Sequence, residues 1–480
     1  MIDVIKNNLG PMMFGGLVIF LLIGYPAAFS LAAVGLFFGL IAIEFGVIDP
    51  SFLGNLTFQL FGIISNDLLL AIPFFTFMGA ILERCGLAED LLDSIGQLFG
   101  PVRGGLSYAV IIVGAILGAI TGTVAASVIA MGVISLPVMM RYNYNIRHAT
   151  GVIAASGTIT QLIPPSLVLV VLADVMGKSV GDMYAGAIGP SLVQVGLFAA
   201  WVAILSMVKP DYVPALPLSA RTLRGWPLAK KAIRGIVPSA GLIFLVLGTI
   251  FMGLATPTEA GAMGAVGSLL LAAAYRTLTW KLTYQAMSST MRLTAMVTLI
   301  LMGARVFSLV FAGVGGGHWI EGILTGLPGG REGFLIFSML FVFFIAFFLD
   351  FFEIAFIIVP LLTPSAEKLG IDLIWFGLLI CANIQTSFMH PPFGFALFYL
   401  RGIAPSSVKS SDIYMGSIPW IVLQIILVIL MLLFPEMVTY WLDKPAAVDP
   451  AAVERALQGI GAGGIGVLPP LDLSQPPKFD

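Results

Sequence analysis

One loop occurs twice in this chain, and each copy interrupts a helix where a helix would have to cross a membrane. Residues Ala154–Ser166 read AASGTITQLIPPS, and residues Cys381–Phe393 read CANIQTSFMHPPF. Each lies in an apolar stretch long enough to span a bilayer and carries a proline pair, Pro164-Pro165 or Pro391-Pro392. Adjacent prolines remove two amide donors and push the preceding residue out of helical geometry, so the helix must break. Carbonyls freed at membrane depth are tolerated only where protein or a water-filled cavity surrounds them. Small and polar residues gather at both breaks: Ser156, Gly157, Thr158 and Thr160 in one, Asn383, Gln385, Thr386 and Ser387 in the other. Interrupted spans at matching places in two halves point to the central binding site of a transporter.

A membrane setting follows from composition. Of 480 residues, 59% are hydrophobic and 10% charged, with mean hydropathy +1.04, whereas soluble domains carry about a quarter charged residues. At about 20 residues per span, the apolar segments allow roughly ten to twelve crossings. The expected class is an all-α polytopic membrane protein. The net charge of −2 comes with no basic arm, so nucleic acid is not an expected partner. Cys85 and Cys381 lie far apart, as do His148, His318 and His390, implying neither a disulfide framework nor a metal cluster. GxSxG, HExxH, CxxC and phosphate-loop motifs are all missing, which argues against an enzyme and against ATP drive within this chain. The start, MIDVIKNNLG, enters an apolar span without a small-residue cleavage site.

Along the chain, Gly24-Tyr25-Pro26 punctuates the first apolar stretch into two helices or one sharply broken one. Residues 48–66 read as interfacial, and Leu68–Gly86 as an apolar helix. Residues 104–141 are almost uncharged and would rise about 57 Å as one helix, beyond a core of about 30 Å. A re-entrant hairpin folding back at Thr121–Ser127 fits that length; two ordinary spans with a tight turn are the alternative. After the first broken span comes a helix from about Ala185 to Val208. Residues 209–234 hold six of the 23 Lys and Arg, which places this loop in the cytoplasm. The second half repeats the plan: a span near Ile236–Met252, the segment Ala255–Gly267, then Ser268–Ala274, and a span near Leu293–Phe311. Another overlong apolar region, Phe334–Pro364, carries Asp350 and Glu353, and a last helix runs from about Ile418 to Phe434.

An offset of 227 residues relates Pro164 to Pro391, Pro137 to Pro364, Thr123 to Asp350 and Tyr142–Asn145 to Leu369–Asp372. It argues for an internal duplication: residues 1–442 form a transmembrane transporter domain with repeats at about 10–208 and 235–440, followed by a flexible tail, 443–480, rich in Pro and Gly. If each half crosses the membrane an odd number of times, the halves are inverted and both chain ends lie outside the cytoplasm.

Asp350 is the first candidate for chemistry. A carboxylate within an apolar stretch normally faces protein or water, either beside a cation or as the cap of a helix start. Glu353 shares its helical face. Broken helices offer carbonyls and hydroxyls suited to hard cations such as sodium; Thr160, Ile163 and Pro164 occupy places around one break that Ser387, His390 and Phe393 occupy around the other. Helix starts near Thr121–Thr123 and Asp350 favour an anionic substrate. Arg305 would pair a substrate carboxylate, sit at a membrane boundary, or satisfy Glu353. His390 is an ion-site neighbour or a hydrogen-bonded core histidine. Glu259 is expected to fix packing among Ala260, Gly261, Ala262 and Gly264.

AIPFFTFMGAI (Ala71–Ile81), GTITQLIPPS (Gly157–Ser166), ATPTEAGAMGA (Ala255–Ala265), FFLDFFEIAFIIVP (Phe347–Pro360) and QTSFMHPPFGFALFYLRG (Gln385–Gly402) occur in this order. Over about residues 10–440 the chain resembles the large membrane subunit, the DctM type, of tripartite ATP-independent periplasmic (TRAP) transporters. The resemblance implies an elevator-type secondary transporter of the bacterial inner membrane, driven by a sodium gradient. It implies two partners, a small four-helix membrane subunit and a periplasmic binding protein that delivers an organic acid such as a C4-dicarboxylate, sialic acid or 2-oxo acid. Carried over by motif, a first sodium site falls on Thr121, Gly122, Thr123, Thr160, Ile163 and Pro164, and a second on Asp350, Ser387, His390 and Phe393. Thr158, Asn383, Gln385, Thr386 and Arg305 are the substrate candidates. Thr160 stands where the family usually has glycine, and His390 where it usually has threonine, so His390 substitutes for a hydroxyl or adds a pH dependence. A self-sufficient sodium-coupled dicarboxylate or citrate symporter is the alternative.

Overall fold

The computed structural model describes residue 6 and residues 8–121, 123–221, 223, 225–391 and 394–442. Contacts divide the chain into Met1–Trp441 and Leu442–Asp480; the expected tail, 443–480, lies outside the described residues. Every regular element described is helical.

Glycine, proline and capping side chains set where the helices stop. Helix α1 (Leu9–Ile23) ends at Gly24 in the left-handed region, φ 87°, and α2 (Ala27–Glu44) starts after Pro26. Two helices therefore replace the single stretch. Helix α3 (Asn55–Ile64), preceded by a 3₁₀ turn at Pro50–Gly54, is bent by 46° from α4 (Asp67–Arg84), whose first turn is capped by Asn66. An amphipathic α5 (Leu87–Leu98) follows. The uncharged region then splits into α6 (Gly105–Thr121) and α7 (Val124–Arg141), which pack on each other across a two-residue break. Helix α8 (Ile146–Thr158) is capped by Asn145 and runs into the first proline pair; α9 (Leu167–Val175) and α10 (Val180–Val208) complete the half.

The basic stretch is only partly a loop, since Lys230, Lys231 and Arg234 already belong to α11 (Trp226–Ile243), and Lys231 forms an ion pair with Asp93 on α5. The segments Ala255–Gly267 and Ser268–Ala274 join in one helix, α12 (Pro257–Ala274), which Thr256 and Glu259 start with a capping box and no breaker interrupts. Glu259 is exposed, and its carboxylate accepts from the Thr256 amide (2.8 Å) and hydroxyl (2.9 Å). It therefore caps rather than organises the small-residue face. Helix α13 (Trp280–Gly313) is longer than its apolar centre predicted, because Thr279 caps a polar first turn. Then come α14 (Gly316–Thr325), α15 (Gly330–Ile345), α16 (Phe351–Glu353), a π turn at Ile354–Ile358 and α17 (Val359–Lys368). Helix α18 (Leu373–Met389), capped by Asp372, meets the second proline pair; α19 (Phe395–Ile403), α20 (Ser410–Leu433) and α21 (Glu436–Thr439) end the described chain.

Bounds recur between the halves. Helix α7 starts at 124 and ends at 141, the α16–α17 run starts at 351 and ends at 368, and α8 and α18 start at 146 and 373; each pair stands 227 apart. Six helices are long and apolar enough to cross singly, and two bent pairs raise that to eight. The broken spans are assembled from pieces too short to qualify alone.

Packing sorts the helices into two groups that each draw on both halves. In one, α4 lies along α12 and α2 along α13. In the other, α8 packs on α7 and α20, while α18 packs on α15, α10 and α20. All 17 residues of α18 are buried, as is α8 from His148 to Thr158, so the broken helices form the innermost layer.

Candidate functional site

Both breaks must settle the carbonyls their prolines orphan, and they do so differently. In the first, a 3₁₀ turn (Ile159–Gln161) tightens the end of α8, and the Thr160 hydroxyl donates to the Gly157 carbonyl at 3.1 Å. Helix α10 then supplies hydroxyls: Ser191 donates to the Leu162 carbonyl (3.0 Å) and Tyr184 to the Ser166 carbonyl (3.4 Å). The Cys381 thiol lies 3.4 Å from the Gln161 carbonyl. The carbonyls of Thr160, Ile163 and Pro164, expected to face a cation, are not among those three. Ser166 caps α9 by accepting from the Val168 amide at 3.2 Å.

The second break closes on its own backbone. The His390 amide donates to the Ser387 carbonyl (3.1 Å), and the Gly394 amide to the His390 carbonyl (2.9 Å). Nδ1 of His390 lies 2.6 Å from the Pro391 carbonyl, and its ring is flanked by Phe343 and Phe347, with centroids 5.6 and 5.1 Å away. The Ser387 hydroxyl donates to the Phe343 carbonyl at 2.8 Å, and one turn earlier Asn383 donates to the Met339 carbonyl at 2.6 Å. Both bonds tie α18 to α15.

The helix starts facing these breaks also differ. Asp350 and Glu353 form a reciprocal capping box: Asp350 accepts from the Glu353 amide (3.0 Å) and Glu353 from the Asp350 amide (2.9 Å). Capping, one of the two roles read for Asp350, is therefore present. Thr123, at the matching position, starts α7 in extended geometry with no side-chain cap. Gly122, Phe393 and the Thr121 side chain lie outside the described residues. Among the described residues, no three His, Cys, Asp or Glu side chains gather as a metal cluster. Any cation held here would take carbonyls, hydroxyls and Asp350, the ligand chemistry of a hard ion.

The remaining candidates turn toward protein. The Thr158 hydroxyl donates to the Ala155 carbonyl (3.0 Å) and accepts from Gln424 (3.0 Å); Thr386 donates to the Asn383 carbonyl (2.6 Å); Gln385 accepts from Gln194 at 2.6 Å. Arg305 stands apart, exposed on α13, a helix that touches the second hairpin at Phe351–Glu353 and Ile354–Ile358. Sequence reasoning passed over Gln194, Gln424, Tyr184 and Ser191. The signal for the first two was present: each is a lone amide in the middle of a long apolar helix, an expensive placement that calls for a partner.

Comparison with known proteins places this geometry in a family. The pattern of the tripartite ATP-independent periplasmic transporter, DctM component, matches residues 14–437. The C4-dicarboxylate TRAP transporter large permease protein DctM of Rhodobacter capsulatus is 29% identical over 89% of this chain and 96% of its own length. The sialic acid TRAP transporter large permease protein SiaM of Vibrio cholerae is 28% identical over 86% of this chain and 93% of its own. Among solved structures, the YdaH transporter of Alcanivorax borkumensis superposes with a TM-score of 0.58 at 15% identity, covering 80% of this chain and 87% of that one, a likeness of fold alone.

Proposed function

The chain belongs to the DctM components of tripartite ATP-independent periplasmic transporters, and from that premise we propose that it takes up an organic acid across the bacterial inner membrane, driven by a sodium gradient. It is a multi-pass membrane protein of a solute-uptake family, not of an enzyme family. The observation that carries the proposal is the doubled pairing of a hairpin tip with a proline-broken helix buried along the turns that lead to its break, one pair bearing Asp350. Sodium is cargo here: one ion takes Thr121, Gly122, Thr123, Thr160, Ile163 and Pro164, the other Asp350, Ser387, His390 and Phe393. The substrate carboxylate lies between the hairpin tips, where helix N-termini favour an anion. The broken helices and hairpins move as one elevator body against the α2/α13 and α4/α12 group, and the halves are inverted. A periplasmic binding protein delivers the acid, and a small membrane subunit braces the static group.

The test is uptake into proteoliposomes holding this chain, its small subunit and its binding protein. A labelled C4-dicarboxylate, sialic acid and 2-oxo acid are each followed with and without an inward sodium gradient. Accumulation requiring both sodium and the binding protein supports the proposal. Accumulation without the binding protein favours a self-sufficient symporter, and sodium-independent accumulation removes both ion assignments.

A further inference from the structure

Four glutamines lie in the apolar interior around the two breaks, and three of them take part in two reciprocal bonds between the halves. Gln194 on α10, in the first half, donates to Gln385 on the broken helix α18 of the second half at 2.6 Å. Gln424 on α20, in the second half, donates to Thr158 on the broken helix α8 of the first half at 3.0 Å. The two acceptors, residues 158 and 385, are themselves 227 apart, and the donors, 194 and 424, are 230 apart, so a similar arrangement occurs twice with the halves exchanged and one donor displaced by about a helical turn. Gln194 and Gln385 are fully buried, Gln424 is 1% exposed and Thr158 fully buried.

Position gives these bonds their meaning. Thr158 precedes Thr160 by two residues, and Gln385 precedes Ser387 by two, so each amide holds the last helical turn before a break. Thr158 also lies 3.5 Å from the sulfur of Met389, the residue before His390, so the first clasp touches the second break. A buried amide of this kind keeps its partner only at one helix register. A shift along α8 or α18 would break these bonds and leave their donor and acceptor unpaired in an apolar layer.

We infer that Gln194 and Gln424 are positioning residues: by fixing the register of the opposite half's broken helix, they hold the two ion-binding loops at one separation and so set sodium affinity and its cooperativity. This rests on the sodium-coupled reading above. Neither glutamine is a proposed ligand, so its influence is exerted through Thr158 or Gln385.

The test uses the assembled transporter with Gln194→Met, Gln424→Met and the double variant. Gln424→Asn keeps an amide but falls one methylene short of Thr158, and serves if the methionine variant fails to accumulate. Uptake is measured against sodium concentration at saturating substrate, and against substrate concentration at saturating sodium. Each single variant is expected to raise the half-saturating sodium concentration about fivefold and to flatten the sodium dependence toward a Hill coefficient of about 1. The substrate concentration dependence at saturating sodium should stay put. The same sodium shift should appear in the protection from heat that sodium gives the purified protein, a readout independent of transport. A fall in maximal rate or melting temperature with unmoved sodium dependence would make the clasps merely structural and overturn the inference. A wild type indifferent to sodium in both assays would remove the coupling itself, a separate failure.

Discussion

Gly114 and Gly118 bring α6 onto Ser156 and Thr160 of the first broken helix, whereas the matching positions of α15 hold Phe341 and Ile345. A Cβ on Gly118 would stand 2.8 Å from the Thr160 Cα and 2.9 Å from its Cγ2, so that contact is closed by the absence of a side chain. In the second half the equivalent approach is kept by donors, with Asn383 and Ser387 bonding to the carbonyls of Met339 and Phe343. Small residues and interhelical hydrogen bonds are the two ways helices associate in an apolar medium, and the contact of α6 with the first broken helix uses one while that of α15 with the second uses the other. The chemistry follows the same division. The first break and its tip are uncharged, while the second carries Asp350, Glu353 and His390. A duplicated backbone plan has thus diverged into an uncharged hairpin–break contact with no room for added volume and a charged one held by donors from the broken helix.

The sharpest probe of that contrast separates Asp350's cap from its charge. Asparagine caps a helix start about as well as aspartate, so Asp350→Asn should leave stability within about 0.5 kcal/mol. Sodium-driven uptake should nevertheless fall by about 100-fold. Asp350→Ala should lose the uptake and about 1 kcal/mol of stability besides. Retained uptake in the asparagine variant, measured in proteoliposomes, would reduce Asp350 to a cap. Thr123→Ala, at the matching tip, should leave thermal stability unchanged because Thr123 makes no side-chain cap.

Next in size is Gly118→Val, expected to cost about 1–3 kcal/mol by overpacking, read as a lowered unfolding midpoint in detergent. A neutral result would show that α6 can withdraw and that the glycine contact is not tight. Ser387→Ala should lose only about 0.5–1.5 kcal/mol, one hydrogen bond; a loss exceeding that of Gly118→Val would reverse the contrast between the halves. The smallest effect concerns Arg147 and Asp412, whose 3.0 Å ion pair joins α8 to α20, while the matching positions, Ile374 and Ala185, hold no charge. Asp412→Asn should change stability by less than about 1 kcal/mol, and a double-mutant cycle with Arg147→Gln would isolate the pair.

Breaks were the most legible part of the sequence, because proline chemistry is local. Pro164-Pro165, Pro391-Pro392 and Gly24-Tyr25-Pro26 each mark a real interruption. Helix extents were harder. The reach of α13 back to Trp280 depends on a threonine cap ahead of a polar turn, and the start of α12 depends on a capping box formed by Glu259, which the sequence suggested as a packing residue. At the candidate site, residue type picked out the two loops but not side-chain direction. Asn383, Thr386 and Thr158, candidates for substrate by residue type, bond to neighbouring protein groups in this structure. Direction depends on which helix lies alongside, and that is a long-range property. Gln194 and Gln424 were missed for the converse reason: their partners lie 191 and 266 residues away.

The pairing of α2 with α13 and of α12 with α4 bears on how the chain is made. When α2 leaves the ribosome, its partner has not been synthesised, and some 236 residues separate the end of one from the start of the other. At about 5–20 residues per second, α2 waits on the order of tens of seconds in the membrane with Gly35 and Gly39 facing lipid instead of Phe307 and Val310. The first half is therefore an obligate intermediate rather than an independent folding unit. Residues 1–221 expressed alone should be degraded quickly in pulse–chase labelling, and should be rescued by residues 222–480 supplied in the same cell. Long survival of the first half by itself would mean that its helices find other neighbours while they wait.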